Sequence, residues 1–221
     1  HYCNKFKCKH SVCSNIIIDS YGDRRMSTLT VQNIQGSSSS GNKIQVASGH
    51  KIMMAGSIIQ TQFTKYSTAT TLSYSADTAI AIPGMEVSIT PTAANSVIKL
   101  ESSWGGETAN NSTWDHVFFF FRDTTQIPAA SDFTTSPGSN RPFGLGTACE
   151  TYYAGADNSS TPAYVMIHYF DEPNTTSAVT YKLGFRANTN GTLYVNRTVN
   201  DTDGGDYERY MSIISATEIA Q

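Results

Sequence analysis

The sequence predicts an all-β fold: a jelly-roll-like β-sandwich head over residues 57–221, preceded by a short extended β stalk or adaptor segment over 26–56. Three observations predict it. Ser, Thr and Asn supply 67 of the 221 residues, and Val, Ile and Tyr are frequent while Lys, Glu and Leu are scarce. That composition suits pleated strands better than helices. Apolar residues recur with period two between Gly, Pro, Asn and Asp clusters, and no segment carries a convincing 3.6-residue period.

The elements follow in order. Leu29, Val31 and Ile34 are set among polar residues, and Gly36-Ser-Ser-Ser-Ser-Gly41 breaks the pattern. Ile44 and Val46 alternate, Ser48-Gly49 turns, and Lys51–Met54 resumes. These two or three strands are too short to bury much alone, which suggests a stalk that gains burial from another chain or a sheet edge; the bland alternative is a flexible polar leader. Residues 56–66, with Ile58, Ile59 and Phe63, open the main domain. Thr68–Tyr74 is a β-branched strand. Ile80 and Ile82 alternate, Pro83-Gly84 is expected to turn the chain, and Met85, Val87 and Ile89 alternate again. Residues 91–96 read as a loop and Val97–Trp104 as a strand. Trp114–Arg122 is apolar on both parities, so both of its faces need cover.

Residues 123–142 hold three prolines and read as a long surface loop. Phe143–Tyr153 and Tyr164–Phe170 are expected strands, the second a buried one. Val179, Tyr181, Leu183 and Phe185 share one parity. Asn190-Gly191 is a hairpin signal, with Leu193 and Val195 beyond it. Residues 201–206 form a turn cluster, and Tyr210–Ile219 closes the chain as a strand.

Several function classes fall away on composition. Charged residues are 15% and the formal net charge is −3, too neutral for a surface that must neutralise phosphates, so no nucleic-acid partner is expected. No apolar run approaches 18 residues, and the densest, Val117–Phe121, has five, so no transmembrane helix and no membrane insertion are expected. Hydrophobic content of 39% argues against disorder.

Cys3, Cys8 and Cys13 cluster near His1 and His10, but C-x4-C-x-H-x2-C fits no common zinc spacing. Gly22-Asp23-Arg24-Arg25 stands directly before Met26, as a translated purine-rich ribosome-binding site would. Residues 1–25 therefore read as upstream read-through or a dispensable extension. Only Cys149 remains in the body, which speaks against a disulfide scaffold.

Met26-Ser-Thr-Leu-Thr-Val-Gln-Asn-Ile-Gln35, Ser88-Ile-Thr-Pro-Thr-Ala-Ala-Asn-Ser-Val-Ile-Lys-Leu100, and Asn196-Arg-Thr-Val-Asn-Asp-Thr-Asp203 followed by Ser212-Ile-Ile-Ser-Ala-Thr-Glu-Ile-Ala220 occur in that order. Together they resemble segments of tail-fibre and virion-appendage proteins of marine bacteriophages, especially cyanophages. The resemblance implies a virion structural protein, usually a homotrimer. Its N-terminal segment would join other virion tail or capsid proteins, and its β-sandwich head would point outward to contribute to host-cell attachment. A host-surface glycan is the expected ligand. In such a trimer the aromatic strand of Phe118, Phe119, Phe120 and Phe121 is expected at the subunit contact. Two alternatives differ in class: a capsid decoration or tail-assembly connector without receptor binding, and a secreted lectin-like glycoprotein.

No enzymatic set emerges and no cofactor is implied. Asp115, Glu150, Asp157, Asp171 and Glu172 are the carboxylates available for a glycosidase pair, and most sit in expected turns. G-x-S-x-G, H-E-x-x-H and phosphate-loop motifs are absent. His50, His116 and His168 are scattered and read as packing or surface residues. Asp201, Asp203 and Asp206 alternate as in a calcium loop but lack the full register and flanking helices, so a plain turn is expected. Seven Asn-x-Ser/Thr sequons begin at Asn110, Asn111, Asn158, Asn174, Asn190, Asn196 and Asn200. They read as a product of composition. Trp104, Trp114, Tyr152 and Tyr153 lie in or beside turns and are the candidates for stacking on sugar rings, with core or trimer-interface packing as the other assignment.

Overall fold

The alternating segments form ten strands, among the described residues, in a computed structural model that describes residues 54–108, 115–135, 137–138, 141–148 and 160–221. In chain order they are β1 (Ile58–Tyr66), β2 (Thr70–Tyr74), β3 (Ile80–Ile89), β4 (Val97–Thr108), β5 (His116–Arg122), β6 (Thr125–Ile127), β7 (Ala163–Asp171), β8 (Val179–Ala187), β9 (Gly191–Val195) and β10 (Ser212–Ile219). They belong to the compact unit Ile52–Gln221. The 1–25 extension lies outside the described residues, as does the 26–56 stalk apart from its last three residues, which turn into β1 with Ser57 N donating to Met54 O.

All pairings are antiparallel, and five of them are nested. β5 pairs with β6, β4 with β7, β3 with β8, β2 with β9, and β1 with β10. Folded over, this long hairpin yields two packed sheets. One is β3-β8-β5-β6; the other sets β1-β10-β4-β7 side by side, with β9 and β2 added where Gly106–Thr108 of β4 meets Val195–Leu193. The fold is an all-β sandwich with jelly-roll connectivity.

Local expectations change at several places. The expected long surface loop of residues 123–142 holds β6 and a short 3-10 helix at Ala130–Asp132, and Ile127 of β6 enters the core. Pro83-Gly84 does not reverse the chain: β3 runs on through an irregularity between Ala81 and Glu86. Gly84 has φ +78° and lies under the Tyr66 ring, where a side chain would collide. Residues 143–148 form no regular strand; they meet β5 through a bridge between Gly146 and Phe118. Asn190-Gly191 joins strands of different sheets, so it makes a crossover, not a hairpin.

The core lies between the sheets. Ile98, Leu100, Trp104, Val165, Ile167 and Ile214 face it from one side, and Val87, Phe118, Phe120, Tyr181, Leu183 and Phe185 from the other. Each such burial stabilises by about 1.5–3 kcal/mol. Trp104, Phe118 and Phe185 form its aromatic centre, with ring centroids 5.0 Å and 5.2 Å apart in succession.

Buried polar groups tie the ends of the sandwich together. Glu218, fully buried in β10, accepts from Gln60 Nε2 (2.7 Å), Thr92 N (2.7 Å), Thr92 Oγ1 (2.6 Å) and Ser96 Oγ (2.7 Å). Burial opposes its charge, but the bonds from Thr92, Gln60 and Ser96 outweigh burial and hold its pKa at about 2. Asn196, also fully buried, donates to Tyr66 O and Thr68 O and accepts from Ser212 Oγ at 2.6 Å. Glu107 binds Thr161 and Val199 N. Asp171 accepts from Arg122 at 3.0 Å and from the Tyr181 hydroxyl at 2.7 Å. Burial first, and then that bond, raise the Tyr181 pKa well above its ordinary value.

Candidate interaction face

Strand register places side chains on the outer face of the larger sheet in rows. Lys65, Ile213, Ser103 and Met166 form one row across β1, β10, β4 and β7. Phe63, Ser215, Glu101 and His168 form the next, and Thr61, Thr217, Lys99 and Phe170 the third. Tyr164 continues the face beside Gly105. Alternation sends Val165, Ile167, Ile214 and Leu100 inward, so most of these outer residues are left partly or fully to solvent, Thr217 being the buried exception. Phe63, Tyr164, Met166 and Phe170 are 61%, 56%, 69% and 53% exposed, and Ile213 is 37% exposed. Large apolar groups concentrated on one face mark an interaction surface, whereas single scattered ones do not.

The face also carries charge. Lys99 pairs with Glu101 at 2.9 Å, and the Lys65 ammonium sits 5.8 Å from the Phe63 ring centre. Between β4, β10 and β7 lies a shallow depression of about 160 Å³, floored by Ser102 and Ser103 and walled by Met166 and Ile213. This arrangement suits broad, flat contact with another protein surface.

The expected interface aromatics behave otherwise. Phe118, Phe119 and Phe120 are fully buried within one chain. Phe118 and Phe120 enter the core. Phe119, on the opposite face of β5, lies against Gly184 so closely that a side chain there would strike its ring, and it meets Phe121 edge-on at 5.2 Å. The expectation that both faces of this strand are covered holds, but for Phe118–Phe120 the cover comes from the chain itself, so they offer no subunit contact. Phe121 is half-buried.

Trp104 is likewise corrected: it is fully buried beside Phe118 and cannot stack on a sugar. Trp114, Tyr152 and Tyr153 lie outside the described residues. His116 is buried against Phe118 and Phe185, whereas His168 is on the outer face of the other sheet, so they share no site. Asp171 is a buried ion-pair partner, unsuited to glycosidic acid–base work.

The three carboxylates of the calcium-like pattern find separate surroundings. Asp201 is engaged by Arg197 at 3.3 Å and by Arg209. Asp203 and Asp206 are exposed, and no group of three or more His, Cys, Asp or Glu is placed to hold a metal among the described residues. This β9–β10 loop instead forms a polar hollow of about 210 Å³ lined by Asp201, Thr202, Asp203, Gly204, Tyr207 and Arg209. Tyr207 is an aromatic beside a turn that sequence reasoning passed over; its position after Asp203-Gly-Gly-Asp206 was the available signal. Asn196 heads a sequon yet is fully buried, which fits a compositional origin for that motif.

No protein-family model matches the chain, and no curated protein matches it significantly. Among the described residues, no helix is long and apolar enough to cross a membrane.

Proposed function

We propose that this chain is a virion structural protein, a component of a bacteriophage tail fibre or related appendage. Its jelly-roll head works as a homotrimer and contributes to host-cell attachment. The observation that carries the proposal is the outer face of the larger sheet, where Phe63, Tyr164, Met166, Phe170 and Ile213 stand exposed together. Such a face favours association with protein: copies of the chain or neighbouring virion components. The resembling segments also support the reading. Thr92 and Ser96 of the second meet Glu218 of the third, so the motifs are the fold's own clasps. Attachment then draws on several weak head contacts multiplied by valency, with the Tyr207 hollow as a polar, aromatic-walled place for a sugar. No catalytic role is assigned.

The test is the mass of the full chain by light scattering under reducing conditions, followed by adsorption of the same sample to candidate host cells. A trimer that adsorbs is expected. Phe63→Asp with Ile213→Asp should lower the mass while the fold persists, because both positions are exposed. A monomer that ignores every host would overturn the proposal, and a trimer that ignores them would favour the connector role.

A further inference from the structure

A sheet edge exposes a row of unpaired N–H and C=O groups, and natural edges are blunted by shortness, bulges, Pro or Lys. Among the described residues, four of the five sheet edges follow that rule. β2 and β6 are five and three residues long, and β6 runs into Pro128. β3 is interrupted at Pro83-Gly84. β1 carries a register irregularity between Ile58 and Gln60, and Lys65.

β7 has none of these guards. Its nine residues contain no Pro, Gly, Lys or Arg. They pair with β4 in unbroken register, Ala163 opposite Gly106 through Asp171 opposite Ile98. On the side away from β4, no described residue hydrogen-bonds its backbone.

We infer that β7 is a strand-addition edge, and that its partner is β7 of a second copy, antiparallel about a two-fold axis at Ile167. The side chains of β7 suit that register. Tyr164 falls opposite Phe170 of the second copy and Met166 opposite His168, an aromatic pair and a sulfur–aromatic pair on the outer face. On the inner face Ile167 meets its own counterpart and Val165 meets Tyr169. The one carboxylate, Asp171, is already neutralised by Arg122 and falls opposite Ala163, so no like charges oppose. Any pairing of a strand with itself about a residue is two-fold by construction, so the contact is closed and does not propagate. It uses main-chain groups and engages only the β7 rim of the outer face, leaving Phe63 and Ile213 free for trimerisation; it would join heads in pairs.

The test uses the full chain under reducing conditions. Hydrogen exchange is measured at low and high protein concentration, alongside mass. Amides of β7 are expected to slow about tenfold or more as concentration rises, with those of β1 and β3 unchanged, and the mass to reach an even multiple of the protomer. Met166→Lys with Phe170→Lys, both at exposed positions, should abolish both effects, whereas Phe63→Asp with Ile213→Asp should leave β7 protection intact. Exchange at β7 that ignores concentration, or an even-numbered assembly that survives the lysines, overturns the edge contact. A trimer with unprotected β7 overturns it while sparing the appendage reading. Paired heads with protected β7 that bind no host do the reverse.

Discussion

The Glu218 carboxylate accepts a 2.7 Å hydrogen bond from the Ser96 hydroxyl, 122 residues earlier in the chain. With Thr92 it fastens the β3–β4 loop to the last strand. Its lowered pKa fixes the sign of a pH effect. The stabilisation is fully present above the ordinary carboxylate value of 4.5 and is lost as pH falls toward about 2. Glu218→Gln should cost roughly 2–3 kcal/mol at pH 7 and flatten the stability profile between those limits. Urea melts across that range check it; an unchanged slope would refute the clasp.

Asn196 combines full burial, φ +60° and three side-chain hydrogen bonds joining β1, the following turn and β10. Alanine lacks both the bonds and the tolerance for left-handed backbone. Asn196→Ala is expected to lose about 2–4 kcal/mol in chemical denaturation. A loss below 1 kcal/mol, on the order of an exposed substitution, would count against this role.

Tyr181 stays neutral because it is buried and donates to Asp171. A raised folded pKa means that its contribution persists below pH 10.0 and is lost as pH climbs above it. Tyr181→Phe should cost about 1–2 kcal/mol near neutrality and weaken the alkaline fall in stability. Thermal melts from pH 7 to 12 measure both.

Trp104 packs between the sheets, so Trp104→Ala should cost about 3–5 kcal/mol through the cavity it leaves. In a Trp114→Phe protein, the remaining tryptophan emission should be blue-shifted and protected from iodide. Ready quenching would show that Trp104 is not buried.

Much of the fold was legible in the sequence because strand faces are written locally. Val179, Tyr181, Leu183 and Phe185 share a parity, and all four are buried toward the core. The candidate face was not legible. Residues 117–121 and 164–170 are both apolar on both parities, yet Phe119 is covered against Gly184 while Met166 and Phe170 stand open. Glu218 and Asn196 were visible only as letters within motifs, since their partners lie across the fold.

By itself the sequence determined the all-β class, the position of most strands and the inward parity of those that alternate, such as β8, since period two is a property of neighbouring residues. Only the tertiary structure decided which apolar face is covered, which strand edge among the described residues is left bare and which polar groups meet. Those depend on the nested pairing that sets β10 beside β1 and β7 beside β4, contacts between residues far apart in the chain.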